Sequence, residues 1–378
     1  MNEVVVTGLG VLSCLGIGSE RFWSGMIRAR STPQPLDDPH ANVRMALLYP
    51  VPDWEETPAT ATRFALRAAE EAVRDARLDA PDPRRIAVVV GTGMGESAAH
   101  EARRVSGELA SEWMPTFSVG AAVGELVGAR GPNTTVSNAC AASGYAISVA
   151  ADLIRSGEAD VVIAGGAEAY SRVGLGCFDR LGAIDPQRCR PFDRNRAGTV
   201  FGEGAAMLVL EPANRARARG ARMYAELAGE GWSCDAFHNT APEPTGAEIR
   251  RSMRQAMTDA GVSPGDIGLV VPHGTGTELN DAVEAEALHD VMGTPPPLYS
   301  LKSLIGHTGG AAGAMGVLAA ALITHNGWVP PNVPLADPDS ELGLSLPETP
   351  ARLSRPTVVV NAYAFGGNNV SLVLRKVV

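Results

Sequence analysis

Short apolar runs recur along this chain, five to seven residues each, without the apolar–polar alternation of a strand that faces water on one side. They fall at 3–7, 85–90, 160–164, 205–211, 267–271 and 357–361. Such runs predict strands of a sheet covered on both faces. Between them, segments 59–77, 141–155 and 247–260 read as helices. Glycine and proline cluster at the boundaries, as chain reversals require. Strands and helices interleaved in this way predict a layered α/β architecture. At 378 residues the chain has room for two ordinary domains or one large double-layered unit. No internal repeat is visible. Residues 31–40, rich in proline and acidic side chains, form the one segment expected to be irregular.

Candidate chemistry sits at the joints between these elements. Residues 134–138 read as a short strand and Cys140 lies between it and the helix over 141–155. A thiol at a helix N-terminus feels the positive end of the backbone dipole and free N–H groups, which favour the nucleophilic thiolate. The competing reading is a buried structural cysteine. Downstream, His273 follows the strand at 267–271 and opens the turn His273-Gly274-Thr275-Gly276-Thr277. His307 stands in Gly306-His307-Thr308-Gly309-Gly310, a small-residue loop that opens a further helix. Of the seven histidines only these two have an adjacent glycine. One Cys and two His, each at an element junction, form the layout of a thiol-based acyl-transfer site.

Composition narrows the choice. Five scattered cysteines (14, 140, 177, 189, 234) and no CxxC pair argue against a disulfide framework and a zinc site. The chain enters an apolar strand at once, with no basic leader or cleavage site. No uninterrupted apolar stretch reaches about 18 residues, apart from small-residue helices expected in a core. A soluble, cytoplasmic protein is the expectation. A net charge of −10 disfavours nucleic acid and anionic membrane as partners. Thirty of the 32 basic residues are arginine, so Lys302, five residues before His307, stands out.

Val4-Val5-Val6-Thr7-Gly8-Leu9-Gly10, the Cys140 elbow, Ala164-Gly165-Gly166-Ala167-Glu168, Pro191-Phe192-Asp193-Arg194-Asn195-Arg196-Ala197-Gly198, Gly202-Glu203-Gly204-Ala205, both histidine motifs and Asn361-Ala362-Tyr363-Ala364-Phe365-Gly366-Gly367-Asn368-Asn369 occur in this order. With these motifs the chain resembles, nearly end to end, the elongating beta-ketoacyl synthases, the condensing enzymes of fatty-acid and polyketide synthesis. The resemblance implies a thiolase-like five-layer αβαβα sandwich made of two similar halves, which we divide as 1–225 with the nucleophile and 226–378 with both histidines. It implies Cys140 as nucleophile, His273 and His307 as enolate stabilisers, and Lys302 as their support. It implies Phe365 as gate and, with the backbone amide of Cys140, as oxyanion donor; core packing is the other reading of that ring. Asp281 and Glu284 match the family pattern, and one of them is expected to salt-bridge Lys302 and fix the His307 loop.

The implied reaction is decarboxylative Claisen condensation of a Cys-bound acyl chain with malonyl-acyl carrier protein, in a bacterial type II polyketide or fatty-acid pathway. The implied partners are the acyl carrier protein, with Arg63 and Arg67 as docking candidates, and a second subunit, either identical or a chain-length factor. No metal, nucleotide or flavin cofactor is implied; Gly91-Thr92-Gly93-Met94-Gly95 lacks the spacing and lysine of a phosphate loop. Three departures qualify the resemblance. Gly316 stands where the family usually has a glutamate, nine residues after the second histidine. Ala364 replaces the glycine before Phe365, where the extra methyl is expected to stiffen the loop, because alanine cannot freely take positive φ. The stretch between Gly95 and Gly131 is short for the family. Two other readings stay open: an acyltransferase that does not extend the chain, and a non-catalytic chain-length subunit, against which Cys140 and both histidines argue. A thiolase fits less well, because no cysteine follows Cys234.

Overall fold

The computed structural model describes residues 3–45, 47–54, 60–107 and 114–377. Nine strands make up the path of a ten-stranded sheet: β1 (Val4–Ser13), β2 (Ile86–Gly91), β3 (Asn133–Val136), β4 (Val161–Glu168), β5 (Gly204–Pro212), β6 (Ala225–Cys234), β7 (Ile267–Val271), β8 (Thr357–Ala364) and β9 (Asn368–Arg375). Their order is β7-β8-β9-β6-β1-β5-β4-β2-β3, and the tenth, Gly16–Ile17, pairs with β1. Two groups of strands meet at a narrow seam, where β1 pairs with β6 only through Val4, Val5 and Val6. Elsewhere the pairing is extensive, as along β1 and β5 from Val4 to Leu12.

Helices fill three layers. α1 (Ala61–Ala76) lies on the outer face of β1 and β5, backed by α2 (Ser118–Val127). α3 (Ala142–Arg155) packs on β2 and β4, and α7 (Ala312–Asn326) packs on β8 and on α3. These two occupy the middle. α5 (Ala247–Asp259) covers β6 and β9 from outside and packs on α6 (Glu278–Met292). The sequence of layers is therefore αβαβα. α7 is buried from Ala312 to Thr324, which explains why its small and apolar residues show no polar face. Three hydrophobic clusters fill the spaces between layers, and the central one joins residues of both strand groups, among them Val4, Ile147, Leu208, Leu318 and Val360.

The run at 267–271 is β7 without change, and the other five predicted runs lie within or beside longer strands. The helix expected over 59–77 starts at Ala61, where the Thr60 hydroxyl accepts from the Arg63 N–H at 3.2 Å. Its expected first residue, Ala59, lies outside the described residues. Residues 31–40 are more ordered than expected. Gln34–Pro35 pairs as a short strand, and Asp38 is ion-paired with Arg172 at 2.7 Å.

Candidate active site

Cys140 follows β3 in a single tight turn, Ala139–Ala141, that leads directly into α3. Ala139 sits at φ +45°, in the left-handed region, so the chain bends sharply just before the sulfur. The residue is 8% exposed. Burial pushes the thiol up to about 12, and nearby Glu168 adds to the rise, while the Lys302 charge and the backbone oppose it. Loss of water around a buried anion thus works against the expectation drawn from the helix dipole and favours the neutral thiol.

His273 stands two residues past β7, 4% exposed. Its backbone N–H donates to Glu284 Oε1 and that of Gly274 to Glu284 Oε2, both at 2.8 Å. Glu284, on α6, also accepts from Asn361 Nδ2 at 3.2 Å. Burial raises this carboxyl to about 7 against the pull of those donors. Asp281 holds the neighbouring loops, accepting from Phe192 N at 2.8 Å and Gly276 N at 3.2 Å. Among the described residues neither acid forms an ion pair with Lys302, contrary to the expected salt bridge. The reason is competition: the backbone N–H groups of the His273 turn and its neighbours take up both carboxylates.

Lys302 serves the first histidine rather than the loop of the second. Its ammonium donates to the His273 carbonyl oxygen and stands 3.4 Å from His273 Nδ1. Burial lowers its pKa from the ordinary 10.5, with Glu284 pulling the other way. Burial, then the Lys302 charge, push both His273 and His307 well below the usual 6.5, so both imidazoles are neutral at pH 7.

His307 is held through its backbone. Its N–H donates to Val200 O at 2.8 Å and its carbonyl accepts from Gly202 N at 3.0 Å. Both ring nitrogens are buried and have no hydrogen-bond partner among the described residues. The His273 and His307 rings lie 5.7 Å apart and nearly perpendicular, at 86°. They line one cavity of about 590 Å³ together with Cys140 and Phe365. Lys302 stands behind this wall and does not line it. The Phe365 ring stacks on Phe178 at 5.2 Å, and Phe178 meets the His307 ring edge-on at 6.2 Å. Phe178 had no signal in the sequence, because only the fold brings its helix, α4 (Arg172–Arg180), to the Phe365 turn. Tyr363 also lines the cavity, 5.5 Å from the His273 ring, although the sequence displayed it only as part of a motif. Among the described residues no cluster of three or more His, Cys, Asp or Glu side chains gathers as a metal site.

Comparison with known proteins agrees with this arrangement. The family model for the beta-ketoacyl synthase N-terminal domain matches residues 55–216, and that for the C-terminal domain matches 224–336. The chain belongs to the beta-ketoacyl synthase family. It is 33% identical to 3-oxoacyl-[acyl-carrier-protein] synthase 2 of Vibrio harveyi, covering 100% of this chain and 99% of that one. It is 35% identical to the tetracenomycin polyketide synthase ketoacyl synthase alpha subunit of Streptomyces glaucescens, covering 99% and 97%. The structure of the ishigamide ketosynthase/chain length factor superposes with a TM-score of 0.93 at 35% identity, over 100% of both chains. The fold of this beta-ketoacyl synthase is accordingly thiolase-like.

Two of the three departures acquire a physical reading within this synthase. Ala364 has φ −145° and ψ 158°, an extended conformation open to any residue. The left-handed positions of the turn are Gly366 at +80° and Gly367 at +75°, both glycine, so Ala364 adds no backbone strain. Gly316 lines a void of about 10 Å³ beside Lys302 and Asn361. A side chain there would meet Val360 Cγ1 at 3.0 Å from its first carbon, so the valine would have to give by a few tenths of an ångström. The short stretch between Gly95 and Gly131 includes 108–113, which lie outside the described residues.

Proposed function

We propose that this synthase carries out decarboxylative Claisen condensation with Cys140 as nucleophile and His273 and His307 as the enolate site. The observation that carries the reading is the pair of neutral imidazoles facing one cavity with the sulfur, one of them with both nitrogens unpartnered. A buried polar group without a partner is costly unless a ligand supplies one. Cys140 attacks the thioester of a carrier-bound acyl chain. The carrier thiol leaves with the sulfur's proton, and exchange of one thioester for another needs no energy source. Lys302 assists by lowering the cost of negative charge on the sulfur.

A malonyl thioester then enters. Loss of CO2 leaves an electron pair on its α-carbon, delocalised onto the thioester oxygen. N–H donors from His273 and His307 stabilise that oxygen where the charge develops. A neutral imidazole can donate without surrendering its proton. The carbanion attacks the acyl-Cys140 carbonyl, whose oxyanion is held by the amides of Cys140 and Phe365. That attack makes the new C–C bond; collapse of the oxyanion then breaks the C–S bond and expels the Cys140 thiolate, which takes up one proton. The product is a 3-ketoacyl thioester on the carrier.

The partner is an acyl carrier protein. Such carriers are acidic, and so is this chain, so docking calls for local positive charge. Arg63 and Arg67 on α1 are the proposed contacts; Arg67 is exposed and lies 3.4 Å from Glu71. The second subunit is another copy or a chain-length factor, and the protein works in the cytoplasm of a type II fatty-acid or polyketide system. The halves divide near residue 225, where β6 begins. Among the described residues no helix is long and apolar enough to cross a membrane. Acyl transfer without extension is the second reading, favoured by Gly316, which stands where the family usually has a glutamate. Incubation with acyl carriers of several lengths and malonyl carrier, followed by intact-mass analysis, separates the two. Condensation gives a 3-ketoacyl carrier, whereas acylated Cys140 without an extended product overturns it. Cys140→Ala should abolish the adduct in either case.

A further inference from the structure

We propose that Glu168 is the positioning residue of the His307 imidazole, a role that rests on the condensing reading above. Glu168 ends β4 and is 1% exposed. Four donors converge on its carboxylate. Oε2 accepts from Gly93 N at 2.8 Å and from Gly310 N at 2.7 Å. Oε1 accepts from Met94 N at 3.0 Å and from the Thr92 hydroxyl at 3.3 Å. An ionised carboxylate offers about four acceptor sites, so this one is fully used in joining two loops. One loop follows β2. The other is the His307 loop, since Gly310 lies three residues beyond the histidine.

The packing around the carboxylate is as close as backbone allows. A Cβ on Gly309 would lie 2.7 Å from Oε2, one on Gly93 2.8 Å from the same oxygen, and one on Gly310 2.3 Å from Gly93 N. Glycines at these three positions let two backbone segments close on one side chain in this way. The His307 ring cannot be oriented by hydrogen bonds, because neither nitrogen has a protein partner. Its place is set by the backbone and by the Phe201 ring stacked 6.4 Å away. The backbone is fixed on one side at Val200 and Gly202, and past the histidine at Glu168. The Gly93 loop that shares this carboxylate also abuts the Cys140 turn: a Cβ on Gly93 would lie 3.7 Å from Ala139 O. One carboxylate thus sets the His307 loop against the turn that carries the sulfur.

Glu168→Gln and Glu168→Asp test the proposal on the full-length enzyme. The amide keeps the size but turns a donor toward two N–H groups. The shorter acid keeps the charge but cannot reach both loops. Single-turnover acylation of Cys140 should not slow by more than about threefold in either variant, while condensation falls about 100-fold, as expected for a misplaced catalytic group. The pH profile of Cys140 alkylation by iodoacetamide separates charge from geometry. It moves to lower pH in Glu168→Gln, which removes a charge that raises the thiol pKa, and stays in place in Glu168→Asp. Folded variants that condense at the wild-type rate, or that lose acylation and condensation in equal measure, overturn the positioning role. Where neither variant folds, Thr92→Val decides: reduced condensation with normal acylation supports the role, and no change overturns it. A wild-type enzyme that acylates Cys140 but neither releases CO2 nor extends would sink the condensing reading, and the proposal with it.

Discussion

Cys140 shows how environment overrides local context. Its position at the start of α3 promises an easy thiolate, yet burial holds the proton on, and the Lys302 charge is the main force the other way. Lys302→Met should therefore move the Cys140 alkylation profile to still higher pH. Iodoacetamide modification at pH 8 should slow by about tenfold for every pH unit that the profile moves. Glu284 titrates within reach of ordinary buffers, because burial raises it from 4.5 to about 7. The folded state binds this proton more tightly than the unfolded chain does. Its contribution to stability is full below about pH 4.5 and is lost as the pH rises through 7, a range worth at most about 3 kcal/mol. The unfolding free energy of wild type minus that of Glu284→Gln should accordingly fall between pH 5 and pH 8 in urea titrations; a flat difference would show that the carboxyl stays ionised. Cys140, His273 and His307 were legible as candidates from residue type and glycine neighbours. The partner of Lys302 was not, because which carbonyl an ammonium reaches depends on side-chain paths through the interior.

At the scale of elements, the site depends on how closely α3 and α7 approach. A Cβ on Gly313 would lie 2.6 Å from Gly144 N, so the first turns of the two middle helices touch backbone to backbone. Gly313→Ala overpacks this contact. It should cost about 1–3 kcal/mol in chemical denaturation and displace the helix that Cys140 precedes, lowering the acylation rate as well. The strands most legible in the sequence are those buried on both faces. β6 was not read as a strand, although its burial alternates along most of its length, because alanine, glycine and serine fill much of the inward face of Ala225–Cys234. Small residues carry little hydrophobic signal, and it is the close approach of α5 that calls for them: a Cβ on Gly231 would lie 2.1 Å from Ser252 O. The element that needs small side chains is thus the one a hydrophobic pattern conceals.

Across the whole molecule, the two strand groups share one central core even though their sheet seam is only three residue pairs long. Side chains from β1, α3, α7, β8 and β9 interlock there, so although each group keeps an outer cluster of its own, unfolding one would strip the shared face of the other. Calorimetry should show one unfolding transition; two well-separated transitions would mean that the groups are stable independently. The active cavity draws on both groups, with Cys140 from the first and the histidines from the second, so it should be lost in that same transition. By itself the sequence determined the α/β class, the buried strands and three candidate residues for the chemistry, since periodicity and residue type are local properties. Only the tertiary structure decided that burial favours the protonated sulfur, that Lys302 bonds to His273, that Phe178 stacks on Phe365 and that Glu168 joins two loops. Each of these follows from burial or from contact between segments far apart in the chain, and neither can be read from neighbours in sequence.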